Sequence, residues 1–128
     1  MKGRLTMFGM FGMGRGPKVQ RIAPADAVRM AAAGEVTLLD VREAAELSAS
    51  GKAKGALHVP LVAVANKCDP NSPSCVKGLS VDKPVVVYCA AGGRAERAGA
   101  ELLSMGYQTV YNLGGLSDWV SGGGKVER

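Results

Sequence analysis

Histidine and tryptophan each occur once in this sequence, cysteine three times, and Phe, Trp and Tyr together make up 5% of it. Cys68 and Cys75 with the distant His58 do not complete a tetrahedral metal site, so neither a metal nor an organic cofactor is expected. No run of 18 apolar residues is present, which excludes a membrane-spanning helix. Acidic residues are missing from the first 18 positions, where Lys2, Arg4, Arg15 and Lys18 lie, whereas residues 19–128 hold twelve bases and eleven acids. The formal charge of +5 is therefore concentrated at the start, and the near-neutral body lacks the clustered basic face that a nucleic-acid partner requires. Leu5–Gly14 is weakly apolar, but glycines at 9, 12, 14 and 16 interrupt that region and no small-residue cleavage site closes it, so a secretory signal is not expected. Residues 1–17 read as a flexible arm. The Phe8-Gly9-Met10 and Phe11-Gly12-Met13 duplication leaves open a sticky contact with a partner or a membrane surface.

What the chain has in quantity is small and aliphatic: 47% hydrophobic residues and 18 glycines in 128 positions, enough for one compact core and too short for a second domain. Lys18–Ile22 alternates as a short strand, and a helix opened by Pro24 runs through 25–33 to Gly34, with Pro at its start and Gly past its end. Residues 35–41 form a buried strand ending in Asp40-Val41-Arg42-Glu43. A short helix over 43–48, a basic turn over 51–55 and a third strand over 56–59 follow. Residues 66–82, rich in Pro, Asn, Ser and Gly, read as a long irregular loop. A helix over 94–105, a last core strand over 107–112 and a helical turn over 116–121 anchored by Trp119 complete the domain, 18–122, with a tail over 123–128 that is expected to fray. Strands alternating with helices predict an α/β fold with a parallel sheet, without fixing the strand order.

The chemistry concentrates at Val85-Val86-Val87-Tyr88-Cys89-Ala90-Ala91-Gly92-Gly93-Arg94. Three β-branched residues without a polar interruption read as a parallel strand buried on both faces, which puts Cys89 at its carboxyl end, where open α/β sheets hold ligands. Ala90, Ala91, Gly92 and Gly93 carry almost no side-chain bulk, so their N–H groups can turn inward as an anion nest around the sulfur. A nest, a helix start and the Arg94 guanidinium all favour thiolate over thiol. The reading is an activated sulfur nucleophile, against the bland alternative of a core cysteine ending an apolar strand.

Only four residues separate Cys89 from Arg94, a tighter ring than the five-residue spacer with which cysteine phosphatases surround phosphate. This strand, loop and helix start resemble the active-site loop of the rhodanese (thiosulfate sulfurtransferase-like) family. Three further segments agree in order: Leu38-Leu39-Asp40-Val41-Arg42-Glu43 with Glu46, Gly55-Ala56-Leu57-His58-Val59-Pro60, and Asn112-Leu113-Gly114-Gly115-Leu116-Ser117-Asp118-Trp119. The resemblance covers about residues 19–122. It implies a five-stranded parallel sheet flanked by helices on both faces, and sulfane-sulfur transfer from a donor such as thiosulfate to cyanide or a thiol through a persulfide on Cys89.

The expected roles follow. Ala90, Ala91, Gly92, Gly93, Arg94, Arg97 and Arg42 surround the substrate, with Arg97 equally readable as solvent-facing. By resemblance Asp40 supports the active loop and Arg42 lies beside the site or pairs with a carboxylate such as Glu46. Glu96 is free to pair with either helix arginine. His58 is read as a structural, hydrogen-bonded side chain, because a thiolate already ionised needs no general base. Ala95 stands where the family often has Ser or Thr. Cys68 and Cys75 remain open between a disulfide, idle thiols and a redox partner for Cys89. Two rival readings stand beside sulfur transfer: a Cys-x-Arg phosphatase or arsenate reductase, and a non-catalytic sulfur carrier or protein-binding module. A monomer in the cytoplasm, acting on small molecules and in some settings on a protein thiol, is expected.

Overall fold

The computed structural model describes residues 17–128. The expectations for residues 1–16, including the arm and its Phe-Gly-Met duplication, lie outside the described residues. In chain order the elements are β1 (Gln20–Arg21), α1 (Pro24–Ala32), β2 (Thr37–Asp40), α2 (Ala44–Ser50), β3 (Lys52–Ala53), β4 (Leu57–His58), a 3-10 turn (Leu61–Ala63), α3 (Val64–Lys67), β5 (Val85–Cys89), α4 (Gly93–Ser104), β6 (Val110–Gly115), α5 (Leu116–Ser121) and β7 (Val126–Glu127). Five of these strands form one sheet in the order β1-β6-β5-β2-β4, and every pairing in it is parallel.

β5 is central and all five of its residues are buried. Its side chains alternate between two cores, as a strand covered on both faces requires. Val85, Val87 and Cys89 join Leu39, Val41, Val64 and the α4 residues Ala95, Ala98 and Leu102 on one side. Val86 and Tyr88 join Leu38, Leu113, Ala27 of α1 and Trp119 of α5 on the other. Helices therefore cover both faces, α3 and α4 on one and α1 and α5 on the opposite one. α4 buries Ala95, Ala98, Gly99 and Leu102 at helical spacing, and Gly99 lets Val19 and Val110 approach where a Cβ would lie 2.8 Å from a Val19 methyl.

Four local expectations are corrected. The 51–55 turn contains β3, which pairs antiparallel with β7, so the tail is held rather than frayed. Lys52 and Glu127 form an ion pair across that ribbon, Trp119 Nε1 donates to the Lys125 carbonyl at 2.7 Å, and Gly124 lies against the indole. The last core strand begins at Val110, not Tyr107, and continues through Gly114-Gly115. The pairing of β5 with β6 shifts register after Asn112, which leaves Leu113 as the extra residue of a bulge, and the glycines beyond it pair with Tyr88 and Cys89. The long loop is shorter than expected, because its first residues are the end of α3. That loop lies along the amino end of the sheet: Thr37 Oγ1 donates to Gly78 O, Gln108 N to Val81 O at 3.0 Å, and Tyr107 Oη to Cys68 O at 2.7 Å.

Candidate active site

Cys89 ends β5 at the carboxyl edge of the sheet, and the chain turns through Ala90–Gly92 into α4. Gly92 takes φ +106°, a left-handed conformation that a residue with a Cβ rarely adopts, and caps the helix. This turn brings the Gly92 N–H to 3.0 Å and the Ala95 N–H to 3.4 Å from Cys89 Sγ. Cys89 is 2% exposed. Burial alone raises its pKa, but the amides of Ala95, Gly92, Ala91 and Arg94 outweigh it, and the net shift is downward. Gly115 presses on the loop from β6, where a Cβ would collide with the Ala90 carbonyl.

Arg94 starts α4, and its guanidinium is engaged by a carboxylate rather than by the sulfur. Nη1 donates to Glu46 Oε2 at 2.7 Å and Nη2 to Glu46 Oε1 at 2.9 Å, a two-point pair between α4 and α2. These bonds hold the Glu46 carboxyl down at about 2 and raise the Arg94 guanidinium. Glu46 is aimed by a capping box, in which its Oε2 also accepts the Glu43 N–H at 2.8 Å. Arg94 was expected to close the ring around the sulfur; its backbone N–H is one of the donors that lower the Cys89 pKa, and its side chain fastens the helix start to α2.

A sequence model of the rhodanese-like domain matches residues 23–122 of this architecture. The chain belongs to the rhodanese-like domain family. A protein named sulfurtransferase from Allochromatium vinosum is 34% identical over 96 residues, which is 74% of this chain and 81% of that one. The thiosulfate sulfurtransferase GlpE of Pseudomonas fluorescens is 33% identical over 101 residues, 78% of this chain and 84% of its own. Among solved structures, a rhodanese-related protein of Thermoplasma volcanium superposes with a TM-score of 0.67 at 30% identity, covering 84% of this chain and 97% of that one. A Rhodopseudomonas palustris protein of unknown function, described as a possible tyrosine phosphatase, does so with a TM-score of 0.75 at 28% identity and 85% coverage of each chain.

Within this rhodanese-like domain, other expected site residues have different partners. Arg42, expected beside the substrate, is 3% exposed, and its guanidinium is taken up by neighbouring groups. Its Nε bonds both Asp40 oxygens at 3.1 Å, its Nη2 bonds Asp40 Oδ2 at 2.9 Å and the Gly51 carbonyl, its Nη1 bonds Ser50 Oγ at 2.9 Å, and its guanidinium lies 5.8 Å from the Tyr88 ring centroid. Two buried charges adjacent on one strand end satisfy each other first, which corrects the pairing of Arg42 with Glu46. Asp40 likewise spends its oxygens on Arg42, including its N–H at 2.9 Å, and makes no bond to the Cys89 loop among the described residues. His58 Nε2 donates to the Arg42 carbonyl at 2.7 Å and so braces the same corner. Trp119 is buried in the second core.

Arg97 is exposed on α4 and has no ion-pair partner among the described residues. Cys68 and Cys75 are free thiols. Burial pushes the Cys68 thiol up to about 12, the reverse of activation. Their loop bonds to residues at the amino end of the sheet, whereas Cys89 ends β5 at the carboxyl end.

Asn112 is the site residue whose role the sequence reading missed. It is 4% exposed, and its amide touches the loop, α4 and the β6 bulge. The sequence signal available was a lone polar residue inside a strand that otherwise reads as core, followed by two glycines.

Proposed function

We propose that this domain carries sulfane sulfur on Cys89. The observation that supports the reading is the buried sulfur ringed by backbone amides, with its pKa lowered in spite of burial. The Cys89 thiolate attacks the outer sulfur of thiosulfate, the S–S bond of the donor breaks, and sulfite leaves with the bonding pair while the new S–S bond forms a persulfide on Cys89. Cyanide or a thiol then attacks the terminal sulfur, the persulfide bond breaks, and the thiolate is regenerated. Negative charge rests on sulfur at the same place in both half-reactions, so one fixed set of N–H donors serves each. Ala90, Ala91, Gly92, Gly93 and Arg94 shape that ring through their backbone, and Arg97 stands free on the same helix to meet an incoming anion. The partners are small sulfur donors and acceptors, including a protein thiol. Three free cysteines suit a reducing cytoplasm; no helix among the described residues is long and apolar enough to cross a membrane.

Intact-protein mass spectrometry after incubation with thiosulfate tests the reading: a gain of one sulfur atom, mapped to Cys89 and lost on adding cyanide, is expected. The description of the Rhodopseudomonas palustris neighbour favours phosphate-ester hydrolysis as the second reading. The four-residue ring and the engagement of Arg94 with Glu46 leave that loop poorly furnished for a phosphate. Turnover of an aryl phosphate with no sulfur uptake would reverse the choice. A folded protein that does neither would be a binding module.

A further inference from the structure

The Cys89 loop has no side chain with which to hold its own shape. Ala90 and Ala91 are exposed methyl groups and the next two residues are glycines. Apart from Cys89 itself, among the described residues one polar side chain bonds to the backbone of residues 90–93: Asn112 Nδ2 donates to the Gly92 carbonyl at 3.1 Å. The same amide reaches two other elements. Nδ2 donates to Glu96 Oε1 at 3.0 Å in the first turn of α4, and Oδ1 accepts the Gly114 N–H at 2.9 Å at the bulge of β6. The Gly92 carbonyl also accepts the Glu96 N–H at 2.9 Å, so it is fixed from two directions. This glycine is the residue whose N–H lies 3.0 Å from Cys89 Sγ. A glycine visits both signs of φ with little cost, so nothing intrinsic keeps Gly92 at +106°.

We propose that Asn112 is a positioning residue for the Cys89 thiolate: by fixing the Gly92 carbonyl from β6, it selects the loop conformation in which the nest N–H groups point at the sulfur. The bulge is part of the device, because the extra residue in β6 is what lets Asn112 serve its own strand with Oδ1 and the loop with Nδ2. The charged groups on the elements around the loop are Asp40 at the end of β2 and Arg42 after it, Glu43 and Glu46 at α2, Arg94, Glu96 and Arg97 on α4, and Asp118 on α5. Removing the Asn112 amide also releases the Glu96 carboxylate that it holds, so the Asn112 variants are compared in a Glu96→Gln background, where a change in Cys89 ionisation reports the loop.

The proposal rests on Cys89 as the reactive thiol of the function proposed above, and its test needs no sulfur donor. Iodoacetamide alkylation of the whole protein across roughly pH 5–10, read at Cys89 by peptide mass spectrometry, measures the thiolate directly. In the Glu96→Gln background Asn112→Ala is expected to move the midpoint up by about one unit, seen as an approximately tenfold slower alkylation below the parent midpoint. An unchanged midpoint in a folded Asn112→Ala protein, with only a lower Tm, would assign the side chain to packing and overturn the proposal. If that variant does not fold, Asn112→Leu, which restores volume without a donor, decides by the same criterion. A raised midpoint in a variant of a protein that takes up no sulfur would support the clamp while removing the sulfur-transfer reading.

Discussion

Arg94→Ala separates two roles open to this guanidinium. In the structure it forms a two-point ion pair with Glu46, and both side chains are 32% exposed. A pair that open to solvent contributes about 1 kcal/mol or less to stability, so the variant should lose about 4 °C or less in Tm. The effect on activity follows from the charge left behind. The backbone N–H of residue 94, one of the donors around Cys89, survives the substitution. The Glu46 carboxylate, held down at about 2 chiefly by Arg94, loses its cation and stays ionised near the loop. A free negative charge there should raise the Cys89 pKa by about one unit, equivalent to about 1.4 kcal/mol and a tenfold lower thiolate fraction at pH values below that pKa. Adding Glu46→Gln removes the charge and should return most of the loss. Thiocyanate formation from thiosulfate and cyanide, measured as kcat/KM in the wild type, both single variants and the double variant, gives the coupling. A loss of roughly 10²–10³ that Glu46→Gln does not relieve would mean that the guanidinium itself stabilises the anionic sulfur, and the argument from the ion pair would be refuted.

Cys89→Ser should keep the fold, judged by circular dichroism, and abolish thiocyanate formation; residual turnover above a few per cent would implicate another thiol. Glu46 has a folded-state pKa depressed to about 2, so its contribution to stability is present above the ordinary carboxyl value of 4.5 and is lost as pH falls through about 2. Arg94→Ala should flatten that part of an acid unfolding curve, and an unaltered acid limb would count against the pair. The Cys68→Ser, Cys75→Ser double variant should hold a Cys89 persulfide as long as wild type, because the loop lies at the opposite sheet edge; a longer lifetime in reductant-free buffer would show that the loop reaches the site. Ending the chain after Gly122 should cost about 2 kcal/mol, through the lost β3–β7 ribbon and the uncovered Trp119 indole, and lower Tm by several degrees; an unshifted Tm would mean the tail contributes nothing.

The order of the longer strands and helices was legible because each carries a local signal. Val85-Val86-Val87 could only be buried, and the start of α1 and the end of α4 are marked by Pro24 and Gly106. The Cys89 loop was legible for the same reason: with nothing larger than a methyl group between Cys89 and Arg94, only backbone was available to bond the sulfur. The reading of β6 stopped at Asn112, since a bulge leaves no local mark at Leu113 and is defined only by the partner strand. The tail misled it as well, because a two-residue strand has no pattern and acquires a partner, Lys52–Ala53, only when the fold closes.

The sequence by itself determined the proposed nucleophile, the nest and the alternating α/β architecture, all of which depend on residues adjacent in the chain. Tertiary structure decided how the charges were shared. Asp40, Arg42, Glu46 and Arg94 allow more than one pairing on paper, and the choice went to Asp40 with Arg42 and Glu46 with Arg94. The first pair is buried at one strand end, where an unpartnered charge is too costly to survive, which leaves Glu46 to the arginine that opens α4. Tertiary structure also brought Asn112 onto Gly92, twenty residues away in the chain, because β6 lies beside β5 in the sheet and the bulge moves its amide under the loop.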